Sequence, residues 1–109
     1  MNSNDVLIKL FEIIENRKSS EIEKSYVASL MNKGTEKINE KILEEASEVC
    51  EAAHETDKTH LIYEICDLMF HTFVLAGYKN ITLEEITAEL ERRFDMSGLE
   101  EKANRNKEN

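Results

Sequence analysis

Apolar residues recur at helical spacing in several stretches of this chain, and the polar positions between them fall on the opposite faces. Leu7, Leu10, Phe11 and Ile14 form a narrow stripe that predicts a first helix from about Asn4 to Lys18. Residues 19–35 show no clear period. Within them, Ser25-Tyr26-Val27-Ala28-Ser29-Leu30 reads as a loop or a short turn of helix, and Lys33-Gly34-Thr35 as a break. Ile38, Ile42, Ala46, Val49 and Ala53 mark the buried face of a second helix, from about Glu36 to Glu55. A third helix runs from about Asp57 to Ala76, with Gly77 placed to end it. Thr82 followed by Glu85 is a capping box that opens a fourth helix, with Ile86 and Leu90 on one face. Residues 96–109 are a largely polar C-terminal tail. The expectation is one all-α domain over residues 1–109, a small bundle of four to five helices.

Composition sharpens that picture. The 109 residues include no proline and only three glycines, which removes most turn chemistry and favours long helices. A chain of this length buries a limited share of its surface, so a second copy is a natural way to complete the core. The formal net charge of −9 excludes wrapping of nucleic acid through phosphate contacts and argues against an anionic membrane surface. The N-terminal stretch has acids inside its only apolar run and no cleavage-site pattern. The apolar-rich run from Ile65 to Tyr78 is too short to span a bilayer and contains Asp67 and His71. Cytoplasmic residence is therefore expected. Cys50 and Cys66, without a CxxC spacing, are expected as unpaired core residues.

The acids of the second and third helices do not fit a solvated face. On a helical wheel Glu45 falls between Ile38 and Ala52, at the edge of the apolar stripe. Glu48 stands beside it, and Glu44 lies one turn before Glu48, so three like charges crowd one side. The third helix is apolar nearly all round: Leu61, Ile62, Ile65, Leu68, Met69, Phe73, Val74, Leu75 and Ala76. Its narrow polar strip is Glu64, Asp67 and His71, and such a strip on a buried helix points at something polar inside the fold.

Buried carboxylates need a counter-charge. Oxygen ligands without thiolate or imidazole suit magnesium, or manganese, and Glu64-x-x-Asp67 lacks the Glu-x-x-His pattern of ferritin-like iron sites. Magnesium that keeps several waters serves as a handle for phosphates, which reconciles an acidic protein with an anionic substrate. Lys33, Lys37 and Lys41 lead into the same helix and can meet phosphates, or else pair with neighbouring acids. His71 reads as a partner of Asp67, a substrate donor, or a hydrogen-bonded core histidine. The competing reading takes the 23 acids as ordinary solvated charge on a non-enzymatic helical interaction protein.

The constellation Glu44-Glu45-x-x-Glu48 … Glu64-x-x-Asp67 resembles the all-α nucleoside triphosphate pyrophosphohydrolases of the MazG type. Within that superfamily the chain is most similar to the phosphoribosyl-ATP pyrophosphohydrolase family. The similarity rests on Ser25 to Leu30, Lys33-Gly34, Lys37-Ile38, Lys41, Asp67 to His71, Val74-Leu75, and Ser97-Gly98-Leu99-Glu100-Glu101-Lys102 with Arg105. The resemblance implies hydrolysis of phosphoribosyl-ATP to phosphoribosyl-AMP and pyrophosphate in histidine biosynthesis. It implies magnesium held chiefly by Glu45, Glu48, Glu64 and Asp67 with Glu44 nearby. It also implies a homodimer whose helices build core and sites together.

Substrate contacts are expected from Ser25, Tyr26, Ser29, Lys33, Lys37, Lys41 and His71, and from Lys102 and Arg105 of the tail. Val27, Leu43 and Phe70 depart from residues common in the family at those positions, and none of them removes a ligand. A house-cleaning pyrophosphohydrolase acting on other (deoxy)nucleotides is the alternative within the same superfamily.

Overall fold

The structure is a computed structural model that describes residues 1–96 and 98–108; Ser97 of the terminal pattern lies outside the described residues. Six α-helices and one 3-10 turn make up the chain, with no strand among the described residues. Helix α1 (Ser3–Arg17) starts where the Asn2 side chain accepts a 2.8 Å hydrogen bond from the Asp5 N–H. It buries Ile14 fully and half-buries Leu7, Leu10 and Phe11, the stripe that the spacing predicts. After the 3-10 turn at Ile22–Lys24, α2 (Tyr26–Lys33) begins at Ser25, whose Oγ accepts from the Ala28 N–H at 3.1 Å. So the stretch without a clear period contains a full helix, which seats Val27, Ala28 and Leu30 in the core. It ends at Gly34, whose φ of +88° suits a residue without Cβ.

Helices α3 (Thr35–Ala52) and α4 (Lys58–Tyr78) form the long αα-hairpin that dominates the packing. Asp57 caps α4 by accepting from the Thr59 N–H at 3.0 Å. Gly77 does not end α4. It lies inside the helix where α1 crosses, and a Cβ there would sit 3.0 Å from Ile14 Cγ2. The reversal comes at Asn80, at φ 60°, with the Ile81 N–H on the Ala76 carbonyl at 2.8 Å and the Lys18 ammonium on the Asn80 side chain at 3.2 Å. The capping box at Thr82 opens α5 (Leu83–Arg92) as expected, with both reciprocal bonds formed. The polar C-terminal stretch contains α6 (Gly98–Glu108), which makes no close backbone contact with another element among the described residues.

Ile14, Val27, Leu30, Ile38 and Val74 form the core, ringed by Leu10, Met31, Ile42, Phe70, Phe73, Leu75 and Tyr78. It gathers α1 and α2 around the start of α3 and the end of α4. Toward the other end of the hairpin the two long helices face each other with fewer neighbours. Here the polar strip of α4 faces inward, with Glu64 and His71 buried as the spacing predicts, while the apolar Ile62, Tyr63, Ile65 and Met69 are exposed in the single chain. Cys50 and Cys66, expected in the core, are also exposed, because both lie outside the α3–α4 contact line. At 21 residues, with a mean hydropathy of 1.2 over its most apolar 18, α4 has the length and composition of a membrane span. Its inward carboxylate and histidine, packed on α3, are instead those of a helix in a polar-centred bundle.

Candidate active site

The site is built on α3 by a spacing of seven. Ile38, Glu45 and Ala52 nearly eclipse one another along the helix, and all three are buried. Glu45 thus stands in the middle of the buried line rather than at its edge, and it is only 6% exposed. On α4 the inward line is Glu64, also 6% exposed, and His71. Carboxylate oxygens of Glu45, Glu48 and Glu64 converge within 4.8 Å of one another. Oε2 of Glu45 and Oε2 of Glu64 are buried and have no hydrogen-bond partner among the described residues. Buried carboxylate oxygens left this way are unfavourable unless a proton or a cation meets them.

The electrostatics show the same strain. Burial, then the adjacent Glu48, Asp67 and Glu64, push the Glu45 carboxyl up to about 7. Glu64 is raised as well, first by burial and then by Glu48, with a smaller opposing pull from His60. Asp67, half-buried one turn after Glu64, adds negative charge to both, though it lies outside the tight group of three. Glu44 is turned aside, its Oε2 3.1 Å from the Lys41 ammonium. Of the expected carboxylates, the structure brings Glu45, Glu48 and Glu64 together, with Asp67 beside them and Glu44 at the rim.

His71 is tied into a relay that spacing alone does not reveal. Its Nδ1 lies 2.7 Å from the Asp67 backbone carbonyl, and its Nε2 lies 2.8 Å from the Tyr26 hydroxyl of α2. A carbonyl only accepts, so Nδ1 carries the hydrogen, and in the neutral ring Nε2 accepts from the Tyr26 O–H. His71 therefore partners the backbone of Asp67 and not its carboxylate. With its proton committed, the Tyr26 oxygen offers only lone pairs to anything that approaches. Its ring stacks against Phe70, with centroids 6.3 Å apart, and burial raises the phenol above its usual range while Lys41 opposes.

The remaining expected contacts divide. Lys41, half-buried, borders the cluster; Lys37, one turn earlier, pairs with Glu40 at 3.2 Å, and Lys33 is exposed at the end of α2. Ser25 is buried as a helix cap, and Ser29 is half-buried on α2. Lys102 and Arg105 are exposed on α6, and a single chain does not bring them to the carboxylates. Sequence reasoning missed His60, whose ring bonds Glu55 on one side and Glu64 Oε1 at 3.2 Å on the other. Its position one helical turn before Glu64 was the available signal. A cavity of about 350 Å³ lies elsewhere, between α1 and the α4–α5 turn, and contains none of these groups.

Comparison with known proteins agrees with this geometry. The sequence profile described as phosphoribosyl-ATP pyrophosphohydrolase matches residues 7–94, which takes in every carboxylate of the cluster and stops before α6. A phosphoribosyl-ATP pyrophosphatase of Vesicomyosocius okutanii is 55% identical over 103 residues, covering 94% of this chain and 98% of the relative. One from Ruthia magnifica is 52% identical with the same coverage, and one from Geobacter metallireducens is 48% identical over 105 residues and 96% of each chain. The chain belongs to the phosphoribosyl-ATP pyrophosphohydrolase family.

Proposed function

We propose that this chain hydrolyses phosphoribosyl-ATP to phosphoribosyl-AMP and pyrophosphate as a cytoplasmic step of histidine biosynthesis, using magnesium, or manganese in its place, held by Glu45, Glu48, Glu64 and Asp67. The observation that carries the reading is the pair of buried, unpartnered oxygens, Glu45 Oε2 and Glu64 Oε2, converging beside Glu48. An all-oxygen donor set with two vacant buried ligand atoms fits a hard divalent cation. The substrate class comes from the shared name of the relatives.

Bound magnesium supplies charge neutralisation on the phosphate oxygens. The chain does the rest. Burial and neighbouring like charge disfavour the ionised forms of Glu45 and Glu64, so a cation that neutralises them would tie their ionisation to its binding. Lys41, parked against Glu44 at the rim, and Lys37 beyond it offer ammonium groups to the phosphates. Tyr26, fixed by His71 as an acceptor, suits a hydroxyl or amino group of the substrate rather than a phosphate oxygen. In the reaction, a water oxygen bonds to phosphorus, the α–β anhydride bond breaks, pyrophosphate leaves, and the water's proton passes to a carboxylate of the cluster.

A second copy of the chain completes the fold in this proposal. The surface of 8057 Å² compares with about 6200 Å² for a compact monomer of 12.6 kDa. The radius of gyration of 16.1 Å compares with about 13 Å for this length. Ile62, Tyr63, Ile65 and Met69 of α4 are among the exposed apolar side chains, together with Leu43, Phe94 and Leu99. The test is pyrophosphate release from phosphoribosyl-ATP with and without magnesium, for wild type and Glu48→Ala. Magnesium-dependent release, lost in the folded variant, is expected. Release only from deoxynucleoside triphosphates would move the chain to the house-cleaning branch, and release from nothing would overturn the proposal.

A further inference from the structure

Glu64 is the single α4 carboxylate in the tight cluster, and it reaches the cluster along a flexible side chain of three torsions. One of its oxygens is buried and bare while the other meets His60 Nε2 at 3.2 Å. His60 sits one helical turn earlier, in the first turns of α4, on the side of the helix that leads down to Glu64. Its other ring nitrogen bonds the Glu55 carboxylate, in the connection that follows α3. The imidazole thus spans from the α3–α4 connection to the buried carboxylate and is held at both ends.

We infer that His60 is a positioning residue for the carboxylate site: by holding Oε1 of Glu64 it keeps Oε2 aimed into the space shared with Glu45 and Glu48. This inference rests on the reading of that space as a divalent cation site. The chemistry of the partners supports it. A hydrogen-bond partner fixed on one oxygen orients a carboxylate for single-oxygen ligation by the other. Without the ring, Oε1 loses its donor, and Glu64 is free to rotate toward solvent or to share a proton with Glu48. His60 touches neither the substrate nor the reacting atoms in this role. Its effect is on how ready the ligand is, and so on cation affinity.

The test is calorimetric titration of magnesium into wild type, His60→Ala, His60→Gln, Glu55→Ala and the His60→Ala/Glu55→Ala double variant, with helicity checked by circular dichroism. Loss of a ligand-orienting partner typically weakens metal binding about 10- to 100-fold. Because His60 is half-exposed, the low end, about tenfold, is expected for His60→Ala. The Gln variant, which keeps a donor, stays within about threefold of wild type, and Glu55→Ala weakens binding less than His60→Ala. In the double variant Glu55→Ala adds nothing, because its effect passes through the ring. The magnesium concentration for half-activation rises in parallel, while kcat at saturating magnesium stays near wild type. A folded His60→Ala that binds magnesium as wild type does, or a Glu55 effect that persists without His60, overturns the inference and leaves the site standing. Wild type that binds no magnesium overturns both. If His60→Ala does not fold, a Gln variant as weak as a Glu48→Ala control, or Glu55→Ala with unchanged affinity, overturns it.

Discussion

Replacing Glu45 with glutamine is expected to stabilise the cation-free protein at pH 8 while abolishing its magnesium-dependent activity. The carboxyl titrates at about 7 in the fold against 4.5 in an unfolded chain, because burial and three neighbouring carboxylates disfavour its charge. A group raised in this way contributes its stability in full below pH 4.5 and loses it as pH rises through about 7. At pH 8 the folded chain therefore carries an unfavourable buried charge worth at most about 3 kcal/mol. Glu48 and Asp67 keep the edge of the site in contact with water, which reduces this to about 1–3 kcal/mol. Glutamine keeps the shape, drops the charge, and can donate to Glu48. For a domain of this size that is a rise in Tm of about 3–15 °C. The assay is thermal unfolding in EDTA at pH 5 and pH 8. The variant should melt only slightly above wild type at pH 5 and well above it at pH 8. Magnesium at pH 8 should raise only the wild type. Glu64 and His60 shift in the same direction as Glu45, so the pH trend of the wild type alone does not isolate Glu45, but the difference between the two proteins does. Coincident melting at pH 8 would refute the argument that a strained Glu45 charge is held for a cation.

Three further expectations follow from the geometry. Tyr26→Phe removes the acceptor oxygen and leaves His71 Nε2 without its donor; a rise in KM of about 2- to 10-fold, with kcat little changed, is expected in steady-state kinetics. Gly77→Ala places a Cβ 3.0 Å from the Cγ2 of fully buried Ile14; it should lower stability by about 1–3 kcal/mol in urea unfolding, without altering magnesium affinity. Ile65→Lys puts a charge into the bare face of α4; sedimentation should show a shift from dimer toward monomer, and an unchanged mass at micromolar concentration would contradict pairing through that face.

The sequence carried most of the helices and the identity of the carboxylate cluster, and the reasons are local. The Thr82–Glu85 box, the α1 stripe and the pairing of Glu45 with Glu48 depend only on helical spacing, which tertiary contacts did not disturb. What the sequence hid depended on packing. Helix α2 was illegible because its eight residues are too few to establish a period, and its signal was one capping serine. Gly77 read as a terminator because glycine usually is one at that spacing, yet here its missing Cβ admits Ile14, and Asn80 makes the turn. Lys102 and Arg105 are grouped with the site by resemblance alone, and nothing in the packing of the described residues of one chain ties α6 to the carboxylates.

The orientation of α4 shows where a helical wheel stops. Periodicity located its narrow polar strip and an apolar girdle wider than one chain of this length can cover. A wheel records which residues share a face; it does not say which face meets the rest of the same chain. In α4 the polar strip meets α3, and Glu64 faces Glu45 and Glu48 across the hairpin. Along this stretch of α4 the chain turns carboxylates inward and apolar side chains outward, which is unfavourable for a hairpin standing alone. In the proposed reading a cation would give the bare oxygens a partner and a second copy would cover the apolar face, so ligand binding and association are expected to stabilise the same helix from its two sides.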